Sequence, residues 1–300
     1  MATKKTSTKA KTKKRQAKTS VAATAKSISK SKAELQKVGS RTTSISYASL
    51  RKWNLSLGVL HFVQGLIIII LSKSSALPVV THYLAVDSLA SQAAGHPVLA
   101  AAQRHLFDVN LAYLVAAFFF MSAIAHFVIG TVYRKRYETD LGTGINKARW
   151  IEYGISASTM MVAIALLSGV YEFSSLIMIF ALILIMNLLG LVMEVHNQTT
   201  KKTNWLSYWL GVIAGLAPWI VIAVYLKGAV MYGSGVPGFV YWIYGSMFVL
   251  FASFAINMLL QYRKKGKWSN YLYGERVYMI LSLIAKTALA WQIFAGTLRP

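Results

Sequence analysis

Mainly apolar residues recur in seven long stretches along this chain, at about residues 53–73, 108–132, 149–170, 174–195, 205–226, 238–261 and 276–297. Each holds roughly the 20 residues a helix needs to cross a hydrocarbon core about 30 Å thick. The pattern predicts an all-α membrane protein, a bundle of seven transmembrane helices. The connection over 74–107 is long for such a bundle. It contains Pro78, Pro97 and the alternating stretch from Val79 to Val86, which fit either a small hairpin or an irregular surface loop.

Composition agrees with this class. Hydrophobic residues make up 56% of the 300 residues and the mean hydropathy is +0.49, too apolar for an ordinary soluble domain. The net charge of +23 would suit a nucleic-acid binder, but its distribution argues otherwise. Residues 1–52 hold 15 of the 32 Lys and Arg and one acid, Glu34, so the rest carries 17 basic against 8 acidic residues. Two regions follow: a basic Ser/Thr/Lys tail over 1–50, expected to be disordered, and a membrane domain over 51–300. The tail suits attraction to anionic lipid or, weakly, to nucleic acid. Its Ser, Thr, Ala and Lys content also overlaps with organellar transit peptides, although Lys rather than Arg dominates.

The basic residues flanking the spans set the expected orientation, because Lys and Arg accumulate on the cytoplasmic side. One side has Arg134, Lys135, Arg136, Lys147, Arg149, Lys201, Lys202, Arg263, Lys264, Lys265, Lys267 and Arg276. The other has Lys73, Arg104, Lys227 and Arg299. The expectation is an amino terminus inside and, after seven spans, a carboxyl terminus outside. With no cysteine, the chain offers neither a disulfide nor a thiolate.

The chemistry concentrates on Lys286, near the middle of the seventh span. A charge at that depth costs at least about 2.5–3.5 kcal/mol and marks function by default. The residue lies about eleven positions from either end of its span, roughly 16 Å at about 1.5 Å per residue, too far for snorkelling. It therefore needs a partner or a covalent modification. A desolvated lysine is readily deprotonated and nucleophilic, which fits a Schiff base with a carbonyl compound. A protonated Schiff base needs an anion, and Glu152 in the third span is the candidate. Arg149, three residues earlier, shares its helix face, so Glu152 could instead be an interfacial carboxylate satisfied by Arg149. Ser282 and Ser156 lie one turn from Lys286 and Glu152 and add hydroxyls to the same region. His61 and His126 sit at matching depths in the first and second spans and suggest a polar, proton-holding cavity. Two His and one Glu could suggest zinc, but the spacing of a metal-binding helix is absent and no metal is expected. No nucleophile and base stand at useful spacing for an enzyme, and Pro218 is the one proline inside a span, which argues against a broken-helix transporter.

Longer motifs go further. Arg149-Trp-Ile-Glu-Tyr153, Pro218-Trp219, Gly238-Phe-Val-Tyr241, Leu260-Gln-Tyr-Arg-Lys-Lys-Gly-Lys-Trp-Ser-Asn-Tyr-Leu-Tyr-Gly-Glu-Arg276 and Ser282-Leu-Ile-Ala-Lys-Thr-Ala-Leu-Ala-Trp-Gln-Ile-Phe294 resemble the heliorhodopsins, retinal-binding seven-helix photoreceptors of inverted orientation. The resemblance covers about 50–300. It implies a rhodopsin-like bundle in which Lys286 carries all-trans retinal as a protonated Schiff base with Glu152 as counterion. It places His61 and His126, with Arg149 beside them, around an inner proton cavity. It makes Trp219, Phe251, Trp291, Met160, Met186 and Gly190 pocket walls, although each could be ordinary bundle packing. It implies light-driven isomerisation to 13-cis, release of the Schiff-base proton to that cavity, and slow recovery suited to signalling through a cytoplasmic or membrane partner without net pumping. A light-driven or light-gated proton pathway is the alternative. A homodimer is expected by resemblance alone.

Overall fold

The computed structural model describes residues 45–300. The expectation of a disordered tail concerns residues that lie, up to 44, outside this range, while 47–50 belong to the first helix. The elements run α1 (Tyr47–Leu71), β1 (Ala76–Val86), α2 (Ser88–Ala94), β2 (Leu99–Asn110), α3 (Leu111–Gly130), α4 (Arg134–Gly142), α5 (Lys147–Leu167), α6 (Phe173–His196), α7 (Leu206–Tyr232), α8 (Gly238–Tyr262) and α9 (Tyr271–Ile293). A 3₁₀ turn, Gly266–Ser269, precedes α9, and a π-helical turn, Phe294–Leu298, extends it.

Seven of the helices, α1, α3, α5, α6, α7, α8 and α9, are long and apolar enough to cross a membrane, as the sequence predicted. Hydrogen-bonding side chains fix where they start. Ser46 caps α1 by accepting from the Ser49 amide at 3.1 Å, Asn110 caps α3 through the Ala112 amide at 3.0 Å, and Asn146 caps α5 through the Arg149 amide at 3.0 Å. The caps explain why α1 begins six residues before its expected start: the polar turn over 47–52 is helical without being apolar. The spanning helices follow one another around the bundle from α1 through α3, α5, α6 and α7, and α9 packs on both α8 and α1. The seam between α7 and α8 is closed by Trp219, whose ring meets those of Tyr244, Phe248 and Phe251 at 5.4–5.6 Å. Leu, Ile, Val and Trp side chains such as Trp209, Ile213, Ile220, Trp242 and Val249 face outward, as a lipid-facing surface requires. The ends of the bundle are called here the tail side, where α1 starts, and the hairpin side.

The long connection is a hairpin. β1 and β2 pair antiparallel from Ala76–Asn110 to Val86–Leu99, with an irregularity between Val79 and Val80, and α2 sits at the tip. Gly95 ends α2 at φ 71°, a conformation that glycine adopts without a Cβ penalty. Glu172, in the turn before α6, ties the hairpin to the bundle. Its carboxylate meets His82 Nδ1 at 2.6 Å and accepts from Thr81 Oγ1 at 3.3 Å and Ser174 Oγ at 3.2 Å, while the Val80 amide donates to the Tyr171 carbonyl at 3.0 Å. Burial pushes the Glu172 carboxyl upward, but hydrogen bonds from His82, Ser174 and Thr81 and the His82 charge outweigh it and hold the group below its ordinary value. A depressed carboxylate stabilises the fold above its ordinary pKa and loses that contribution as pH falls through the folded value. Wild type is therefore expected to melt above Glu172→Gln near neutral pH, with the two melting curves converging on acidification. A difference that persists at low pH would show that the carboxylate's charge is not what ties the hairpin down.

Candidate functional site

Lys286, on α9 and 3% exposed, lies at the centre of the bundle. Its Nζ donates to Ser282 Oγ, one turn back, at 2.7 Å and stands 3.2 Å from Glu152 Oε1 on α5. The Nζ also lies 5.2 Å from the centre of the Tyr153 ring. Both charges are buried, so each supplies the partner the other needs. Ser122 of α3 donates to Glu152 Oε1 at 2.5 Å and orients the carboxylate. Ser156 is fully buried one turn beyond Glu152.

His61 and His126 come together as their matched depths suggested. Their rings stack 5.6 Å apart at 12°, within electrostatic reach of Lys286. His126 Nδ1 meets Asn54 Oδ1 at 2.8 Å, whereas both His61 ring nitrogens are buried without a hydrogen-bond partner in the structure. On the hairpin side, Gln64 Oε1 accepts from Thr287 Oγ1 at 3.0 Å and from Trp291 Nε1 at 3.3 Å, locking α1 to α9 beside Lys286.

From Lys286 an apolar cavity extends between α5, α6, α7, α8 and α9. It is lined by Tyr153, Ala157, Met160, Met186, Asn187, Gly190, Gly211, Val212, Phe251, Phe254 and Met258, among others, and Ser282 and Lys286 stand at its polar end. A long, apolar carbonyl compound suits this donor set: one buried amine beside an anion at one end and aromatic and thioether walls along the rest. The fit is to retinal's chemistry.

Three expected positions differ. Arg149 does not join the histidine cavity and is not the partner of Glu152. Its guanidinium turns to the tail side and pairs with Glu194 of α6 and Glu275 of α9, stacking 4.0 Å from the centre of the Tyr278 ring. Two carboxylates there leave it no reason to approach Glu152, which Lys286 and Ser122 already satisfy. Trp219 does not line the cavity; it packs behind Phe251 in the α7–α8 seam. Trp291 is held away from it by Gln64. Residues that spacing did not single out, Ser122, Asn54, Gln64, Tyr153 and Asn187, are polar groups on inward helix faces. Glu194 and Glu275 sit within the end turns of α6 and α9 yet are 0% and 1% exposed, so a carboxylate near a span end is not necessarily interfacial.

Gly190 allows Trp150 to lie flat against α6. A Cβ at this position would overlap the indole ring, and the indole cannot slide because its Nε1 donates to Glu194 Oε2 at 2.7 Å. Gly190→Ala is expected to destabilise the protein by about 1–3 kcal/mol, the usual effect of overpacking, read as a lower melting temperature. An unchanged melting temperature would mean that Trp150 has room to move.

A buried lysine, a counter-charge and an apolar cavity at the centre of seven spanning helices define an integral membrane protein of the rhodopsin class. A family model described as Heliorhodopsin matches residues 50–298, and the chain belongs to that family. Among solved structures, a light-driven proton pump, LR (Mac), from Leptosphaeria maculans shares the fold, with a TM-score of 0.57 at 14% identity over 84% of this chain and 95% of that one. No curated protein matches the sequence.

Proposed function

We propose that this protein is a light sensor in which Lys286 holds all-trans retinal as a protonated Schiff base and Glu152 is its counterion. The observation that carries the reading is the buried pair of Lys286 Nζ and Glu152 Oε1, 3.2 Å apart, at the polar end of an apolar cavity. When bound, retinal supplies visible absorption and a light-driven change from all-trans to 13-cis. The residues do the rest. Glu152, fixed by Ser122, stabilises a positive charge at the Lys286 nitrogen. Displacing that nitrogen from Glu152 weakens its hold on the proton, and the free ring nitrogens of His61 offer an acceptor, with His126 and Asn54 behind it. Among the described residues, the spanning helices carry no Asp or Glu on the hairpin side of Lys286. That favours a proton returning to where it came from, hence signalling rather than net transport. A light-driven or light-gated proton pathway is the alternative.

The basic residues of the tail side, twelve against four, support an amino terminus in the cytoplasm and a carboxyl terminus outside. In that orientation the tail and inner loops meet anionic lipid and a cytoplasmic signalling partner, and nucleic acid at most weakly. The receptor works as a homodimer.

The test is the visible spectrum of purified protein expressed with all-trans retinal, beside that of Glu152→Gln. A nearby anion stabilises the ground state, where positive charge sits at the nitrogen, more than the excited state, where it moves away. Wild type is expected to absorb in the visible and Glu152→Gln at longer wavelength. Folded wild type without a visible band would end the photoreceptor reading. A sustained light-induced pH change outside cells would replace signalling with transport.

A further inference from the structure

On the tail side of Lys286, beyond an aromatic layer of Trp150, Tyr153, Phe254 and Tyr278, lies a second charged cluster for which the light-sensing reading has no use. Arg149 bridges Glu194 and Glu275, and all three side chains are at most 4% exposed. One positive charge faces two carboxylates. The two are not equivalent. Glu194 takes four donors: the Arg149 guanidinium, Tyr271 Oη at 3.0 Å, Trp150 Nε1 at 2.7 Å and the Asn146 amide at 2.8 Å. Glu275 takes two, the same guanidinium and Asn146 Nδ2 at 2.6 Å. Four donors fill the acceptor sites of an ionised carboxylate and leave no place for a carboxyl proton on Glu194.

We propose that Glu275 carries a proton in the resting protein, so that the cluster is a buried proton-binding site distinct from the Lys286 centre. With Glu194 ionised and balanced by Arg149, an ionised Glu275 would be an uncompensated charge in a site without water's dielectric. Among the described residues, the neighbouring elements supply no second cation. From α4 the facing ionisable group is Tyr137, from α5 Tyr153, from α8 Tyr262, and from α9 itself Tyr271 and Tyr278. Lys147 of α5 points to Asp140 at 3.8 Å, and the Arg276 guanidinium lies over the Trp53 ring at 5.0 Å. Protonated Glu275 restores neutrality. Binding the proton holds the tail-side ends of α5, α6 and α9 together, and losing it adds a negative charge where the inner loops leave the bundle.

The site needs no chromophore, so its test stands apart from the photoreceptor reading. Gly274–Glu275 is the one Gly–Glu pair in the chain, so the full-length wild type labelled in glycine carbonyl and glutamate isolates Glu275 in solid-state NMR. Its side-chain carboxyl is expected to show the chemical shift of the protonated acid at neutral pH. In parallel, the deuterium-sensitive C=O stretch of a carboxylic acid in the dark infrared spectrum is expected to vanish in Glu275→Gln and to survive in Glu152→Gln. An ionised shift at Glu275 in the wild type, or an acid band that survives in Glu275→Gln, overturns the proposal. The wild-type NMR measurement decides it if the variant fails to fold.

Discussion

Lys286→Ala, purified and mixed with all-trans retinal, is expected to have no visible band. Lys286 is the only buried lysine among the described residues, so no other amine can reach the cavity to form the imine. The effect is complete rather than graded, because the covalent attachment itself is lost. The substitution also leaves Glu152 with Ser122 as its hydrogen-bond partner, in a site where an uncompensated charge is expensive. Protonation of Glu152 relieves this, and Lys286→Ala/Glu152→Gln is the control that keeps the bundle folded while removing the attachment point. The cavity persists in both variants, so a preformed imine of retinal with a short alkylamine is expected to bind and restore a visible band. Circular dichroism checks the fold. A visible band in Lys286→Ala that resists hydroxylamine like the wild type's would move the attachment to another residue.

The seven spans were legible because crossing lipid demands long apolar runs, a demand that burial in a soluble core does not impose. The Lys286–Glu152 pair was legible for the complementary reason: charges are so expensive at that depth that each asks for the other. His61 and His126 could be paired by depth because helices of known direction turn residue number into height. What height does not give is azimuth. Arg149 and Glu152 share a face over one turn, yet Glu152 points to the bundle axis and Arg149 to the junction of α6 and α9. The same ambiguity hid Trp219 and Trp291, whose rings belong to the seam behind Phe251 and to the Gln64 lock. Glu194 and Glu275 fall at the ends of apolar spans, 174–195 and 276–297, where position along the chain gives no sign of burial. It takes the folded ends of three helices, with Tyr271, Trp150 and Asn146 pointing inward, to make that region an interior.

Two charged centres therefore sit at different heights of one bundle, separated by aromatic rings. Tyr153 is common to both sides: its ring lies under Lys286 Nζ, and its hydroxyl donates to the Tyr278 carbonyl at 2.8 Å. Tyr278 in turn has its ring against the Arg149 guanidinium and a buried hydroxyl without a hydrogen-bond partner among the described residues. A change of charge at Lys286 thus meets α9 and α5 at the two residues that border the Arg149 cluster. This gives a light-driven change at mid-bundle a packed route to the tail side.

The largest stability effect is expected from Arg149→Ala. Removing the guanidinium strands the ionised Glu194, at 0% exposure, without its counter-charge and takes a donor from Glu275, at 1% exposure. Breaking a buried ion pair by deleting one partner typically costs about 3–5 kcal/mol, because the survivor remains buried and unpaired. Against the roughly 5–15 kcal/mol that separates most folded proteins from unfolding, this predicts a large drop in melting temperature or failure to accumulate. Arg149→Lys is expected to recover little, since one ammonium cannot fork between two carboxylates and stack on Tyr278 as the planar guanidinium does. Removing one carboxylate together with the cation is expected to recover more: Arg149→Ala/Glu194→Gln leaves a single acid, Glu275, already neutral under the proposal above. Melting followed by circular dichroism on protein without retinal reads this effect separately from any change in colour. An Arg149→Ala protein that melts with the wild type would mean that lipid headgroups or water reach the cluster and its charges are not confined.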